Sequence, residues 1–270
     1  MYRVVIVITV FCALVVACAT SPTGRTQLTF MPESQMAAMG VEAFRKIGQD
    51  TPQEKDPRIN NYVKCVTNAI TQLPQVREES ADWEVVVFDD KMVNAFALPG
   101  GKIGVYKGLL GVAETPSQLA AVIGHEVGHV LAHHGNERVS QQFAASQALV
   151  LVQAIMSTNQ TANQQTVMGL LGLGAQVGIL LPFSRIQESE SDEIGLELMA
   201  RAGFDPRESV TLWQNMARNS DGQPPEFLST HPSHGTRIQD LQSNMGSAVK
   251  LYQQAQSEGR RPGCTVPAIR

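Results

Sequence analysis

Apolar positions recur at intervals of three and four from Ser34 to Gly48 and from Asn60 to Leu73, where Ile59 is followed by Val63, Val66 and Ile70. That spacing predicts two amphipathic helices. The period then changes. From Trp83 to Leu110, "WEVVVFDDKMVNAFALPGGKIGVYKGLL" is β-branched and aromatic, broken at Asp89-Asp90 and at Pro99-Gly100-Gly101, which predicts three strands in a small antiparallel sheet. The edge of such a sheet can accept an extended peptide as one more strand. Helical spacing returns at Leu119, Ile123, Val127, Val130 and Leu131, behind a start signal of Thr115, Pro116 and Gln118. Phe143 to Met156 reads as a further helix. Ser184 with Gln187 opens another, which runs to Ala202 and stops at Gly203, and Asp205-Pro206-Arg207-Glu208 starts one more. The expected fold class is α+β with a helical majority, the sheet lying beside the helix that begins at Thr115.

The ends of the chain have a different character. Met1-Tyr2-Arg3 is a short positive start and Val4 to Val16 is almost wholly apolar, too short for a spanning helix of about 20 residues and of the form of a secretory leader. Val15-Val16-Ala17-Cys18 resembles a bacterial lipobox, which implies cleavage before Cys18 and lipidation of its thiol; the alternative is a plain leader with an incidental cysteine. Ala19, rather than an aspartate, resembles lipoproteins sent to the outer membrane. "SPTGRTQLT", Ser21 to Thr29, is turn-rich and reads as a tether. The expected organisation is a leader over residues 1–17, a lipidated N-terminus and tether over 18–33, one folded domain over 34–257 and a tail over 258–270. "VMGLLGLGAQVGILLPF", Val167 to Phe183, reads as a core helix and connector, with a flap or a lipid-touching surface as the sharper alternative.

A length of 270 residues with 43% hydrophobic positions is enough for one domain with a real core. The net charge of -4 and the lack of a dense Lys/Arg run exclude an electrostatic footprint for nucleic acid. Of four cysteines, Cys12 falls in the leader and Cys18 at the lipid site, which leaves Cys65 and Cys264. An oxidising compartment would let those two pair; the alternative is two free thiols, because spacing alone does not bring their Cα atoms together.

The candidate chemistry is concentrated in one helix. Four of the six histidines fall between His125 and His134. In His125-Glu126-Val127-Gly128-His129 the two histidines, at i and i+4, share one helix face and can reach one ion, while Glu126 is placed to hold the attacking water. One Zn(II) per chain is the expected cofactor, with a third protein ligand and an open position. Glu126 would be the general base. A third histidine in the metzincin arrangement is excluded, because the slots seven and ten residues after His125 hold Ala132 and Gly135. A carboxylate from a later helix is the alternative, and "SRIQESESDEIG", Ser184 to Gly195, offers Glu188, Glu190, Asp192 and Glu193. Glu188 and Asp192 lie on one face with Ser191 and Gly195, whose small size would let this helix approach the histidine helix closely. In that arrangement Glu188 binds the metal, Asp192 accepts the free ring N–H of a ligand histidine, and Glu190 points to solvent. His133 and His134 are expected to flank the helix end near Gly135 rather than to bind metal.

"HEVGH" followed by "SRIQESESD" resembles the signature of gluzincin metallopeptidases of the CAAX prenyl protease, HtpX and BepA group, and "NAFALPGGKIGVYKGLL" from Asn94 and "THPSHGTRIQDL" from Thr230 resemble further blocks of that family. The resemblance selects Glu188 over Glu190. It implies that Asn94 contacts substrate backbone, that His231 stabilises the oxyanion or caps the metal in a resting state, and that Arg237 supports that histidine or the substrate. It also implies the periplasmic lipoprotein branch of the family, an endopeptidase acting on misfolded or unassembled envelope proteins, held to the membrane through Cys18, with an envelope assembly machinery as an implied partner. Two readings from other classes stand beside it. One is a non-proteolytic chaperone or assembly factor using the same groove, and the other is a metallo-hydrolase acting on a non-peptide envelope component.

Overall fold

The computed structural model describes residues 18–156, 183–218, 226–232 and 235–268. The leader over residues 1–17 and all but the last residue of the run Val167 to Phe183 lie outside them. In chain order the elements are β1 (Cys18–Thr20), β2 (Thr26–Leu28), α1 (Glu33–Asp50), α2 (Pro57–Thr71), α3 (Pro74–Glu79), β3 (Glu84–Phe88), β4 (Ala95–Leu98), β5 (Lys102–Tyr106), a 3-10 turn (Lys107–Gly111), α4 (Pro116–Leu131), α5 (His134–Met156), α6 (Arg185–Arg201), α7 (Glu208–Arg218), α8 (Glu226–Thr230) and α9 (Arg237–Ser257). The fold is mostly helical with small sheets. Among the described residues no helix is long and apolar enough to cross a membrane.

The chain divides into two compact units. One gathers the described residues up to Met36 with those from His133 to Met156. Here the turn-rich stretch expected to be a tether folds as the antiparallel hairpin β1–β2, with Cys18 opposite Leu28. Its Arg25 guanidinium grips both carboxylate oxygens of Glu137 on α5, at 2.7 and 2.8 Å. Asn136 exchanges hydrogen bonds with the backbone of Met31, and Phe30 meets Phe143 edge to face at 5.4 Å. The helix expected from Phe143 begins nine residues earlier, at His134. Gly135 therefore does not stop a helix. The break before α5 is made instead by His133, held at a φ of 51°, a left-handed conformation uncommon for non-glycine residues in which histidine is one of the more frequent.

The second unit comprises Ala37–Ala132 and the described residues after 182. Its sheet differs from the expected antiparallel meander. The strand order is β3-β5-β4, with β4 antiparallel and β3 parallel to the central β5. A period-two pattern fixes which side chains share a face, not which strands are neighbours; here only β4 and β5 are joined by a tight turn, the three residues Pro99 to Gly101, in which Gly100 and Gly101 hold φ of 83° and 72°, a region glycine enters without steric cost. Val87, Ile103, Val105 and Ala95 turn to the core with Val63, Val66 and Ile70 of α2 and Leu119, Ile123 and Val127 of α4. Phe88, Phe96 and Tyr106 turn to the other face, where Phe44 of α1 packs edge-on against Phe88 and Phe96.

α4 is enclosed. Every residue from Gln118 to Val130 is buried, so the helix is walled on more than one side, by the sheet and α2 and, most closely, by α6. That approach needs bare backbone. A Cβ on Gly124 would stand 2.7 Å from the Gly195 carbonyl oxygen, and one on Gly195 would stand 2.6 Å from the His125 backbone nitrogen. One turn on, Ser191 donates its hydroxyl to the His125 carbonyl at 3.0 Å. Cys65 of α2 and Cys264 of the C-terminal segment are joined by a disulfide, their Cα atoms 5.7 Å apart.

Candidate metal centre

Two helix starts aim the site. Thr115 accepts the Gln118 N–H to begin α4, and Ser184 and Gln187 close a reciprocal capping box at α6, which puts Glu188 in the first turn of α6. His125, His129, Glu188 and His231 each offer one ligand atom, all buried and within 4.8 Å of one another. The His125 and His129 Nε2 atoms are 3.1 Å apart. Glu188 lies 3.5 Å from the first through Oε2 and 3.3 Å from the second through Oε1. Four ligands at about 2.0 to 2.1 Å around a tetrahedral zinc stand about 3.3 to 3.4 Å from each other, so these separations are those of donors arranged about one cation. His231 Nδ1, 3.2 Å from His125 Nε2 and 3.0 Å from Glu188 Oε1, stands at a fourth corner.

The protonation chemistry agrees with that arrangement. Asp192 Oδ1 is 2.9 Å from His125 Nδ1; a carboxylate can only accept, so Nδ1 carries a proton and Nε2 is the nitrogen left to ligate once its own proton is displaced. Burial opposes charge on His125, but the Asp192 and Glu188 carboxylates outweigh it and raise the imidazole to about 9. A proton thus takes the place of a cation there. Burial, with no comparable set of partners, drives His129 well down and keeps it neutral. Glu188, despite burial, is held far below the ordinary carboxylate range by the imidazoles around it. Arg237, the first residue of α9, bonds Asp192 through Nε at 2.6 Å and Glu188 Oε2 through Nη2 at 2.5 Å, and its guanidinium lies 3.8 Å over the Trp213 ring. It touches the two carboxylates rather than His231.

Glu126 is 2% exposed, and its Oε1 has no hydrogen-bond partner, although His231 Nε2 approaches to 3.3 Å. Burial raises its carboxyl; His231, His125 and the backbone N–H of Ala97 pull the other way. Ala97 belongs to the free edge of β4. Because the Tyr106 N–H donates to the Asn94 carbonyl, the alternation of an antiparallel ladder turns the amides of Ala95 and Ala97 outward. Asn94 sits just before this edge, its Oδ1 accepting the Ala95 N–H at 2.9 Å.

The fold thus brings His125, Glu126, His129, Glu188, Asp192, His231 and Arg237 into one buried cluster. Glu190, expected in solvent, is 5% exposed, because α6 is packed on several sides rather than one. Sequence reasoning missed the aromatic clasp: Phe183 stacks on His129 at 3.7 Å, Phe227 stacks on His231 at 4.5 Å, and Trp213 lies under Arg237. Nothing local distinguishes these rings from core residues.

Comparison with known proteins agrees with this geometry. The model of peptidase family M48 matches residues 57–245. The mitochondrial metalloendopeptidase OMA1 of Arabidopsis thaliana is 39% identical over 183 residues, 66% of this chain and 35% of the relative, and that of Schizosaccharomyces pombe is 38% identical over 207 residues, 76% and 59%. The beta-barrel assembly-enhancing protease of Yersinia pestis is 29% identical over 229 residues, 83% of this chain and 46% of the relative. The chain spans about a third to three fifths of the length of these relatives. The higher identity to the mitochondrial enzymes favours their branch over the periplasmic lipoprotein branch that the sequence alone implied; the motif blocks that carry the resemblance are metal-site and sheet-edge residues, which do not separate branches. With its matched span and its two-histidine, one-glutamate cluster, the chain belongs to peptidase family M48, the gluzincin metallopeptidases.

Proposed function

We propose that the protein is a zinc endopeptidase that cuts polypeptides lying extended along β4. The observation that carries this reading is the pairing of a cation-shaped donor set with a buried carboxylate oxygen that has no hydrogen-bond partner, Glu126 Oε1. A structural metal site has no use for such a group.

His125, His129 and Glu188 would hold the ion, which when bound supplies Lewis-acid polarisation of the scissile carbonyl. Asp192 keeps His125 in the tautomer that can ligate. Arg237 holds Glu188 Oε2, leaving Oε1 turned toward His129 and His231. Glu126 takes a proton from the attacking water and delivers it to the leaving amide nitrogen, and its burial-raised carboxyl suits a group that must do both. The outward amide of Ala95 would pair with substrate backbone, and Asn94, whose Oδ1 now takes the Ala95 N–H, would exchange that bond for one to the substrate. His231 stands at the corner where a substrate oxygen would come, which fits a cap that withdraws on binding and then faces the oxyanion.

The wider setting belongs to the same proposal. A lipid on Cys18 would hold the domain at the outer membrane, facing the periplasm, with unassembled envelope proteins as substrates and an assembly machinery as partner; the leader-like N-terminus and the beta-barrel assembly-enhancing relatives support this. Glu126→Gln tests the chemistry. It should keep metal yet cut unfolded casein at least a hundredfold more slowly; equal rates for the two forms refute the role of Glu126.

A further inference from the structure

We infer that the outer edge of β3 is a second strand-accepting groove, which binds an extended stretch of polypeptide carrying an acidic side chain. The strand order leaves β3 and β4 as opposite edges of the sheet, and β4 is the edge beside Glu126. On β3 the Glu84 N–H donates to the Gly101 carbonyl, so Glu84, Val86 and Phe88 spend their amides on β5, and Val85 and Val87 turn theirs outward.

One end of this edge already takes an antiparallel partner. Gln53 bridges Phe88, with the Glu54 N–H donating to the Val87 carbonyl at 2.9 Å and the Asp89 N–H to the Pro52 carbonyl at 2.8 Å. The chain then leaves. The Asn60 side-chain amide donates to the Glu54 carbonyl at 2.8 Å and Asp56 caps α2, so the pairing ends after one bridge. Beyond it the N–H and C=O of Val85 and the N–H of Val87 have no partner among the described residues. The groove that faces them has a volume of 450 Å³ and runs between this edge and a face of α2 presenting Asn60, Lys64 and Asn68 at four-residue intervals. That volume is within the usual range of binding sites, about 300 to 1,000 Å³, and holds a few extended residues rather than a folded element. Only another extended backbone satisfies outward strand amides in register.

Charge selects the side chain. Glu84 is neutralised by Lys102 at 2.7 Å, Glu54 by Lys107 at 2.6 Å and Asp56 by Arg58 at 2.6 Å. Lys64 makes no ion pair among the described residues, so it is the unbalanced charge in the groove. Trp83 in the wall is fixed by donation from Nε1 to the Val76 carbonyl at 3.1 Å, which makes it a reporter of occupancy. As a matter of use, this inference rests on the endopeptidase reading: a long unfolded substrate can engage β3 with one stretch and β4 with another, gaining effective concentration that a short peptide does not.

The test separates binding from cleavage. An eight-residue peptide alternating valine and glutamate is titrated into Glu126→Gln protein, with the valine–lysine peptide as control and tryptophan fluorescence as readout. Lys64→Glu reverses the charge on an exposed helix face. Val85→Pro removes an outward N–H that the β5 ladder does not use, a substitution edge strands tolerate. Each should weaken the glutamate peptide about fivefold to tenfold, and a Trp83→Phe form should lose the signal. In the active protein the same two substitutions should raise KM for unfolded casein and leave cleavage of a six-residue peptide unchanged. Unchanged peptide affinity in Lys64→Glu, or equal binding of the lysine peptide, overturns the groove, and Lys64→Glu alone decides should Val85→Pro fail to fold. If no casein is cut by any form, the endopeptidase reading fails while the binding arm still stands or falls by itself.

Discussion

Gly195→Ala tests whether the closeness of α4 and α6 is what places Glu188. The added Cβ would lie 2.6 Å from the His125 nitrogen, 2.8 Å from the Gly124 carbonyl carbon and 2.9 Å from the His125 Cα, where relaxed carbon contacts are about 3.5 to 4.0 Å. All three of these nearest atoms are backbone, so no side chain can swing away to relieve the contacts and the helices must separate by roughly 0.8 Å or more. Overpacking of this kind costs about 1 to 3 kcal/mol, against a gain of up to about 1 kcal/mol from replacing a helical glycine. With that gain in full, the net loss is up to about 2 kcal/mol and lowers Tm by up to about 8 °C for a domain of this size. The consequence for the metal is larger in proportion. Ligand bonds tolerate only about 0.2 Å of displacement, and Glu188 rides on the helix that moves while His125 rides on the helix it moves from. Metal affinity, measured by competition with a chelating dye, should fall on the order of tenfold to a hundredfold, the loss usual when the support of a ligand is disturbed. Gly246→Ala is the control: that glycine is exposed in α9 and a Cβ there meets nothing within 4 Å, so stability should hold or rise and affinity should not change. A folded Gly195→Ala protein with parental metal affinity would refute the argument.

Two other outcomes are expected. His125 is raised from 6.5 to about 9 by its carboxylate partners in the metal-free protein, so its proton stabilises that form fully below pH 6.5 and the benefit is lost as pH rises through about 9; an entering metal must displace this proton, and apparent metal affinity should climb about tenfold per pH unit between 6.5 and 9, whereas a flat profile in dye competition contradicts the assignment. The Cys65–Cys264 bond closes a sequence separation of 199 residues, and in the chain-entropy account its loss costs at most about 5 kcal/mol; replacing both cysteines by serine should lower the calorimetric Tm, and an unchanged Tm would show that the cross-link constrains nothing the unfolded chain could use.

The candidate metal site was legible because its parts obey local rules. A pair of histidines one turn apart, a glutamate between them and a second helix with small residues on the face of Glu188 and Asp192 all follow from helical periodicity, and Gly195 against Gly124 is that inference in atoms. What failed to show in the sequence depends on pairing between distant segments. Val86 and Val105 alternate correctly in either topology, so nothing indicated that β5 would lie between β3 and β4. Glu190 looks like a solvated residue until α6 is surrounded. Trp213, Phe183 and Phe227 acquire roles only because the fold stacks them on ionised or ligating side chains, and Arg237 reaches Glu188 and Asp192 from a helix that begins 45 residues after Asp192. The branch within the family was also beyond reach, since catalytic blocks report shared chemistry and not cellular address.

The most direct measurement is anomalous X-ray scattering at the zinc edge from crystals of the zinc-loaded protein. The account predicts one strong peak per chain, about 2.0 to 2.2 Å from the Nε2 atoms of His125 and His129 and from a carboxylate oxygen of Glu188. A peak elsewhere, or density in which Glu188 turns away and no other carboxylate replaces it, would contradict it.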